Sequence, residues 1–228
     1  MSKNKPLTTG EWSKNVIRQE EIDKYLIDGK DFINEDEIWS HINNHVSPEK
    51  SKIQAILEKS LSIQRLEPEE TAALLNVKDE ALWEEMYDVA LKVKQKVYDN
   101  RIVFFAPMYC SNLCVNSCAY CGFRKENKNE KRRVLSMDEI RKETKAVIGQ
   151  GHKRMIAVYG EHPSSDIDYI TESIRAIYSV NEKSPNGNKD SNIRRVNVNA
   201  APMSVDDLKK LEKVGIGTYQ VFQETYHK

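Results

Sequence analysis

The chain has 228 residues, and its 35 basic and 35 acidic side chains cancel, so no global field points to nucleic acid or an anionic membrane as a partner. Met1 to Pro6 lack the apolar core of a secretory signal, and no run approaches the ~20 apolar residues of a membrane span. A cytoplasmic protein is expected, built as one large domain or as a domain with an appendage.

Residues 1–100 read as a helical region without a catalytic pattern. Asn34–Asn44 suits a short helix with Ile38 and Ile42 on one face. Ser47-Pro48-Glu49 starts a second helix, with Pro at the first helical position, and Ile53, Ile56, Leu57 and Leu61 follow at helical spacing. A third opens at Leu66 and runs through Leu75. A long one over Asp79–Tyr98 carries Leu82, Met86, Val89, Val93 and Val97 on its apolar side. Trp39 and Trp83 read as packing anchors, because large aromatics dominate cores. His41 and His45 share a helix face at i, i+4, but two histidines fall short of the ligand count of a structural metal site.

From Arg101 the pattern changes. Ile102-Val-Phe-Phe-Ala106 is a continuous apolar run, which predicts a strand buried on both faces, with a cysteine-bearing loop at its C-terminal end. Lys125–Arg133 is a polar, basic loop. Ser136-Met-Asp-Glu139 is a capping box, and Ile140, Val147 and Ile148 continue its helix until Gly149 and Gly151. Arg154–Tyr159 is a second strand, ending in Gly160-Glu161, and Asp166–Tyr178 is a helix. Asn181–Ser191 reads as a surface loop, and Arg195–Asn199 as a third strand whose Asn197 and Asn199 alternate onto one face. Those two side chains have a structural reading, as polar filling bonded within the fold, and a functional one, as groups pointing into a site. Ser204 caps a helix through Val214. Thr218–Phe222 is a fourth strand, leading into Gln223-Glu224-Thr225. Strands alternating with helices predict parallel βα units with right-handed crossovers, and polar residues gather at the strands' C-terminal ends, where such barrels place their chemistry.

All four cysteines fall at positions 110, 114, 118 and 121. The last three have the spacing C-x3-C-x2-C, with Tyr120 directly before the third. Three thiolates on one short loop suit an iron–sulfur cubane with one iron left open. A zinc site usually wants two separated ligand pairs, and a disulfide framework wants wider spacings and an oxidising compartment. A ferredoxin-type carrier has a different cysteine run and is a smaller protein. Cys110 reads as a small buried hydrophobe rather than a ligand.

The loop Cys114–Phe123 resembles the cluster loop of radical S-adenosylmethionine (SAM) enzymes. The resemblance implies a partial (β/α) barrel, with four of six strands visible over residues 101–228. It implies a [4Fe-4S] cluster on Cys114, Cys118 and Cys121, whose open iron chelates SAM and whose electron releases a 5′-deoxyadenosyl radical. Gly160 and Glu161 resemble the last two positions of the family's Gly-Gly-Glu motif, which holds the SAM amino group; Tyr159 replaces the first Gly. Tyr120 and Phe123 match positions near the adenine, and Glu224 matches the strand-four contact to the ribose. Asn199 is a further candidate for the cofactor site.

The blocks at 111–123, 151–154, 193–202 and 215–227 resemble the tyrosine lyases of [FeFe]-hydrogenase maturation. The tyrosine lyase of thiamin synthesis (2-iminoacetate synthase) shares the cysteine loop and the Gln-Glu-Thr-Tyr-His block. The resemblance implies cleavage of L-tyrosine at Cα–Cβ to p-cresol and dehydroglycine, with CO and cyanide formed in the hydrogenase branch. Implied partners are a reductant such as flavodoxin or ferredoxin, and other hydrogenase maturation proteins. These lyases carry a second cluster on C-terminal cysteines, and no cysteine follows Cys121 here. A fragment is therefore expected, lacking the last two barrel strands; a truncated, non-catalytic iron–sulfur-binding piece is the remaining alternative.

Overall fold

The computed structural model describes residues 8–16, 18–183 and 190–222. The chain divides into two compact units, one over Arg18–Ile102 and the other from Val103 onward together with the N-terminal segment that contains helix α1 (Thr9–Val16). No described helix is long and apolar enough to cross a membrane.

The first unit holds α2 (Gln19–Asp23), α3 (Glu35–Asn44), α4 (Lys50–Leu61), α5 (Pro68–Leu75) and α6 (Glu80–Tyr98). Local chemistry sets the ends. Asn34 accepts from the Glu37 backbone at the start of α3, Pro68 opens α5, and the Asp79 carboxylate accepts from Ala81 and Leu82 at the start of α6. Ile53, Ile56 and Leu57 of α4 pack with Ala73, Val77, Leu82 and Val89 into this unit's core. Trp83 anchors there, and its indole N–H donates to the Val77 carbonyl at 3.1 Å. Trp39 does not; it is 58% exposed, so its helix turns that side of α3 outward. The His41 ring lies beside Glu37 and Glu69, at 3.8 and 3.5 Å, and a His45 ring nitrogen meets the His41 carbonyl at 2.7 Å, so this histidine pair serves local packing.

The second unit is a parallel four-stranded sheet in the order β1 (Ala106–Ser111), β2 (Arg154–Tyr159), β5 (Arg195–Asn199), β6 (Tyr219–Gln220). Helices α7 (Met137–Gly149), α8 (Ile167–Tyr178) and α9 (Val205–Val214) form the crossovers, with a 3-10 turn at Pro163–Ser165. The Ser136–Glu139 capping box forms as the sequence implies, and Ser204 caps α9. Gly215 ends α9 with φ +83°, a left-handed conformation that suits a residue without Cβ. Side chains alternate across the strands. Met108, Cys110, Met155, Ala157, Tyr159, Val196 and Val198 face the helices and pack on Ile140, Ile148, Ile170, Ile174, Ile177 and Leu211. Burying each of the Met, Val, Ile and Leu side chains among them contributes about 1.5–3 kcal/mol.

Three readings of the sequence need correction here. The first strand is not Ile102–Ala106. It starts at Ala106, and Ile102–Phe105 are irregular and 50–73% exposed. The register that seats Met108 and Cys110 in the core overrides the apolar run before it. Pro107 is tolerated within β1 because β1 is an edge strand. A bulge follows: Tyr109 pairs with Val158 and Ser111 with Tyr159, which leaves Cys110 as the extra residue. Next, the expected surface loop at 181–191 begins and ends in an antiparallel pair, β3 (Asn181–Lys183) with β4 (Asp190–Asn192). The fourth strand is also shorter than Thr218–Phe222, and Val221 and Phe222 lie beyond it, exposed.

Candidate active site

The cysteine loop leaves the C-terminal end of β1, and its neighbours hold it in place. The Gly160 N–H donates to the Ser111 carbonyl at 2.9 Å, and the Val115 N–H to the Glu161 carbonyl at 2.9 Å. A Cβ on Gly160 would lie 2.2 Å from the Leu113 carbonyl oxygen and 3.3 Å from Cys114 Cβ, so the end of β2 passes the loop at a distance only glycine allows. Asn116 Nδ2 donates to Glu161 Oε2 at 2.6 Å, so Glu161 touches the loop by side chain as well as by backbone. Within the loop, the Cys121 N–H donates to the Cys118 carbonyl at 3.0 Å, and the Phe123 N–H points at Cys121 Sγ at 3.4 Å.

Cys114, Cys118 and Cys121 are all half-buried. Among the described residues no three His, Cys, Asp or Glu side chains converge as a preformed metal site. The donor set nevertheless fits an iron–sulfur cluster: three soft ligands within eight residues, on a loop tied at both ends. Cys114 also lines a cavity of about 330 Å³ with Lys125, Lys128, Arg132 and His162. Burial holds the His162 ring below its ordinary pKa.

Cys110 behaves differently. It is fully buried among apolar side chains, and burial pushes its thiol up to about 12. A protonated, enclosed thiol is a poor metal ligand. Its neighbour Tyr159 is also buried, bonds Ser173 Oγ at 2.6 Å, and has its phenol pKa raised by that burial.

The remaining candidates lie on the concave face of the sheet or at its rim. Tyr109, Val158, Asn199 and Gln220 form one row across the four strands, and Pro107, Ile156 and Asn197 form another. Asn199 Nδ2 donates to the Gln220 carbonyl at 3.1 Å, and Asn197 Oδ1 accepts weakly from Arg195 Nε at 3.4 Å. Phe123 stands edge-on to Tyr109, with ring centroids 5.8 Å apart, while Tyr120 is 67% exposed. Glu224 lies outside the described residues.

Sequence reasoning missed three side chains. Asn116 bonds Glu161. Tyr219 on β6 donates its hydroxyl to the Ala201 carbonyl, and its pKa is pushed up to about 12, first by burial and then by the charge of Glu161. Arg132 binds backbone carbonyls on both stems of the loop. Asn116 had a signal in its place inside the cysteine motif and Tyr219 in the block 215–227; Arg132 had none, because its role comes from contacts made only in the folded loop.

Known proteins share this arrangement. The chain is 45% identical to HydG, a maturase of the [FeFe]-hydrogenase, with a TM-score of 0.80 over 86% of this chain and 42% of that one. Against HydG of Carboxydothermus hydrogenoformans the identity is 38% and the TM-score 0.70, over 84% and 43%. The 2-iminoacetate synthase of Escherichia coli (strain K12) is 26% identical over 190 residues, 83% of this chain and 46% of that protein. The chain spans about half the length of the curated relatives it matches. Residues 108–228, which contain the cysteine loop and, apart from Ala106 and Pro107 of β1, the four parallel strands, match the radical SAM superfamily, and the chain belongs to that family.

Proposed function

We propose that this chain is the N-terminal part of a radical SAM tyrosine lyase that cleaves L-tyrosine at Cα–Cβ to p-cresol and dehydroglycine, in maturation of the [FeFe]-hydrogenase. The observation that carries the reading is the 45% identity to HydG across 86% of the chain, cysteine loop included. Cys114, Cys118 and Cys121 would hold a [4Fe-4S] cluster. When bound, the cluster and SAM supply a 5′-deoxyadenosyl radical for hydrogen abstraction.

The chain's own groups orient and shield. Gly160 lets the loop lie against the end of β2, and Glu161, held by Asn116, presents a carboxylate to the SAM amino group. Phe123, packed on Tyr109, offers an apolar surface for the adenine, with Tyr120 three residues before it. Asn199 and Glu224 are assigned to the cofactor's polar contacts. Flavodoxin or ferredoxin is proposed as the reductant, other hydrogenase maturation proteins as partners, and the cytoplasm as the location.

A second reading, the 2-iminoacetate synthase of thiamin synthesis, rests on the likeness to the Escherichia coli enzyme over 83% of the chain. Both readings predict p-cresol from tyrosine; CO and cyanide belong to the first alone. The test is anaerobic reconstitution with iron and sulfide. An iron–sulfur absorption band is expected, with an EPR signal that changes on adding SAM and is lost in Cys118→Ala. A preparation that takes up one zinc and no iron would overturn both.

A further inference from the structure

We infer that Arg132 is a positioning residue that ties the two stems of the cysteine loop together before any metal arrives. The inference rests on the reading of Cys114, Cys118 and Cys121 as ligands. Arg132 Nη1 donates to the carbonyls of Asn112 at 2.6 Å and Phe123 at 2.9 Å, and Nη2 to those of Arg124 at 2.6 Å and Asn127 at 3.0 Å. These acceptors bracket the ligands: Asn112 is two residues before Cys114, and Phe123 is two residues after Cys121. One guanidinium therefore joins both stems of the loop with all four of its terminal N–H groups.

Arg132 is itself held from both sides. Asn112 Nδ2 donates to the Lys131 carbonyl at 2.9 Å, Asn112 Oδ1 accepts from the Arg133 N–H at 2.7 Å, and the Asn112 N–H donates to the Arg133 carbonyl at 3.2 Å. The chain at 131–133 is thereby fixed along the end of β1, and the Arg132 side chain reaches from it to the far stem. That stem is braced in turn, as the Lys125 N–H donates to the Asn116 carbonyl at 2.9 Å and Arg124 Nη1 to the Cys121 carbonyl at 3.1 Å.

Every acceptor of Arg132 is a neutral backbone carbonyl, and among the described residues Arg132 enters no ion pair with a carboxylate. Its interaction energy thus goes into shaping backbone. None of these bonds needs a metal, so the joined stems are available to the apo protein. The planar fork with two separated NH₂ ends suits carbonyls arranged in two pairs. A lysine ammonium, with three donors at one point, does not. Stems already joined lower the ordering cost of drawing the three cysteines onto a metal, the general benefit of preorganisation.

The test uses the apo chain under anaerobic conditions, with Co²⁺ as the probe and its thiolate-to-metal charge-transfer absorption as the signal. Arg132→Lys and Arg132→Gln are compared with Arg133→Gln, whose side chain only pairs with Glu139. The Arg132 variants should bind Co²⁺ at least about tenfold more weakly, as expected when hydrogen bonds to a charged group are lost. Hydrogen exchange should accelerate at the amides of 112–127 while those of β2 and α8 keep their protection. Arg133→Gln should match the wild type, and added guanidinium should recover part of the signal in Arg132→Gln. Wild-type Co²⁺ affinity in Arg132→Lys would overturn the inference. So would protection lost equally in the loop, β2 and α8, which would mark a general stabilising role. A wild-type chain with no cobalt–thiolate band would remove the reading of the cysteines as ligands, and the inference with it.

Discussion

The two faces of the parallel sheet are built on opposite principles. Toward the helices, Met155, Ala157, Val196 and Val198 are sealed beneath Ile148, Ile174 and Leu211 with almost no accessible surface. Toward the concave side, the same strands present Tyr109, Val158, Asn197 and Asn199, all of them partly or well exposed. The alternation of the pleat lets one strand serve both. Stability is concentrated on one face and exposed polar groups on the other, so damage to the two should be separable.

Substitution on the sealed face should have the largest effect. Ile174→Ala, in the middle of α8, should cost about 2–5 kcal/mol, the usual range for truncating a fully buried isoleucine. Denaturant unfolding would measure it, and at a temperature where the variant stays folded its iron content after reconstitution should equal the wild type's. Iron lost in proportion to stability would show that the faces are coupled.

Gly160→Ala tests the rim where the faces meet. Its Cβ would press on the Leu113 carbonyl, so either the loop or β2 must shift, at about 1–3 kcal/mol, the scale of overpacking. Here iron incorporation should fall together with the unfolding midpoint, unlike in Ile174→Ala. Unchanged iron content would mean that the loop tolerates displacement.

Asn199→Ala probes the concave face alone. It removes the bond to the Gln220 carbonyl and should cost about 0.5–1.5 kcal/mol in thermal unfolding. A greater loss in SAM affinity than in stability, measured by calorimetry on reconstituted protein, would assign the amide to the cofactor; equal losses would assign it to holding β6.

The last effect, confined to alkaline pH, concerns Cys110. Its folded-state pKa of about 12 lies above the ordinary thiol value of 9.0, so the unfolded chain loses this proton first. Stability from the protonated thiol is complete below pH 9 and declines as pH rises from there to about 12. Cys110→Ala should remove that part of the alkaline decline, while below pH 9 its profile should run parallel to the wild type's. Identical alkaline slopes would show that the thiol is not sealed in solution.

Much of the molecule was legible in the sequence because its signals are local. The spacing of Cys114, Cys118 and Cys121 places three donors on one loop whatever surrounds them. Capping at Ser136 and Ser204, Gly215 after α9 and the alternation in Arg195–Asn199 each depend on a few neighbouring residues. The order of strands and helices followed from them.

What the sequence did not contain was decided by packing between distant segments. Ile102–Phe105 had the composition of a buried strand, yet β1 is the segment whose register fits Met108 and Cys110 against Met155, Ala157 and the helices. The bulge at Cys110 follows from the same fit. The hold on the cysteine loop is likewise tertiary: Arg132 and Asn112 lie twenty positions apart, Asn116 and Glu161 forty-five. Local rules name the candidate ligands, because cysteine spacing is covalent. Only the folded chain brings the arginine, the glycine and the carboxylate around them, because hydrogen bonds between distant residues form only after the sheet has fixed where each strand ends.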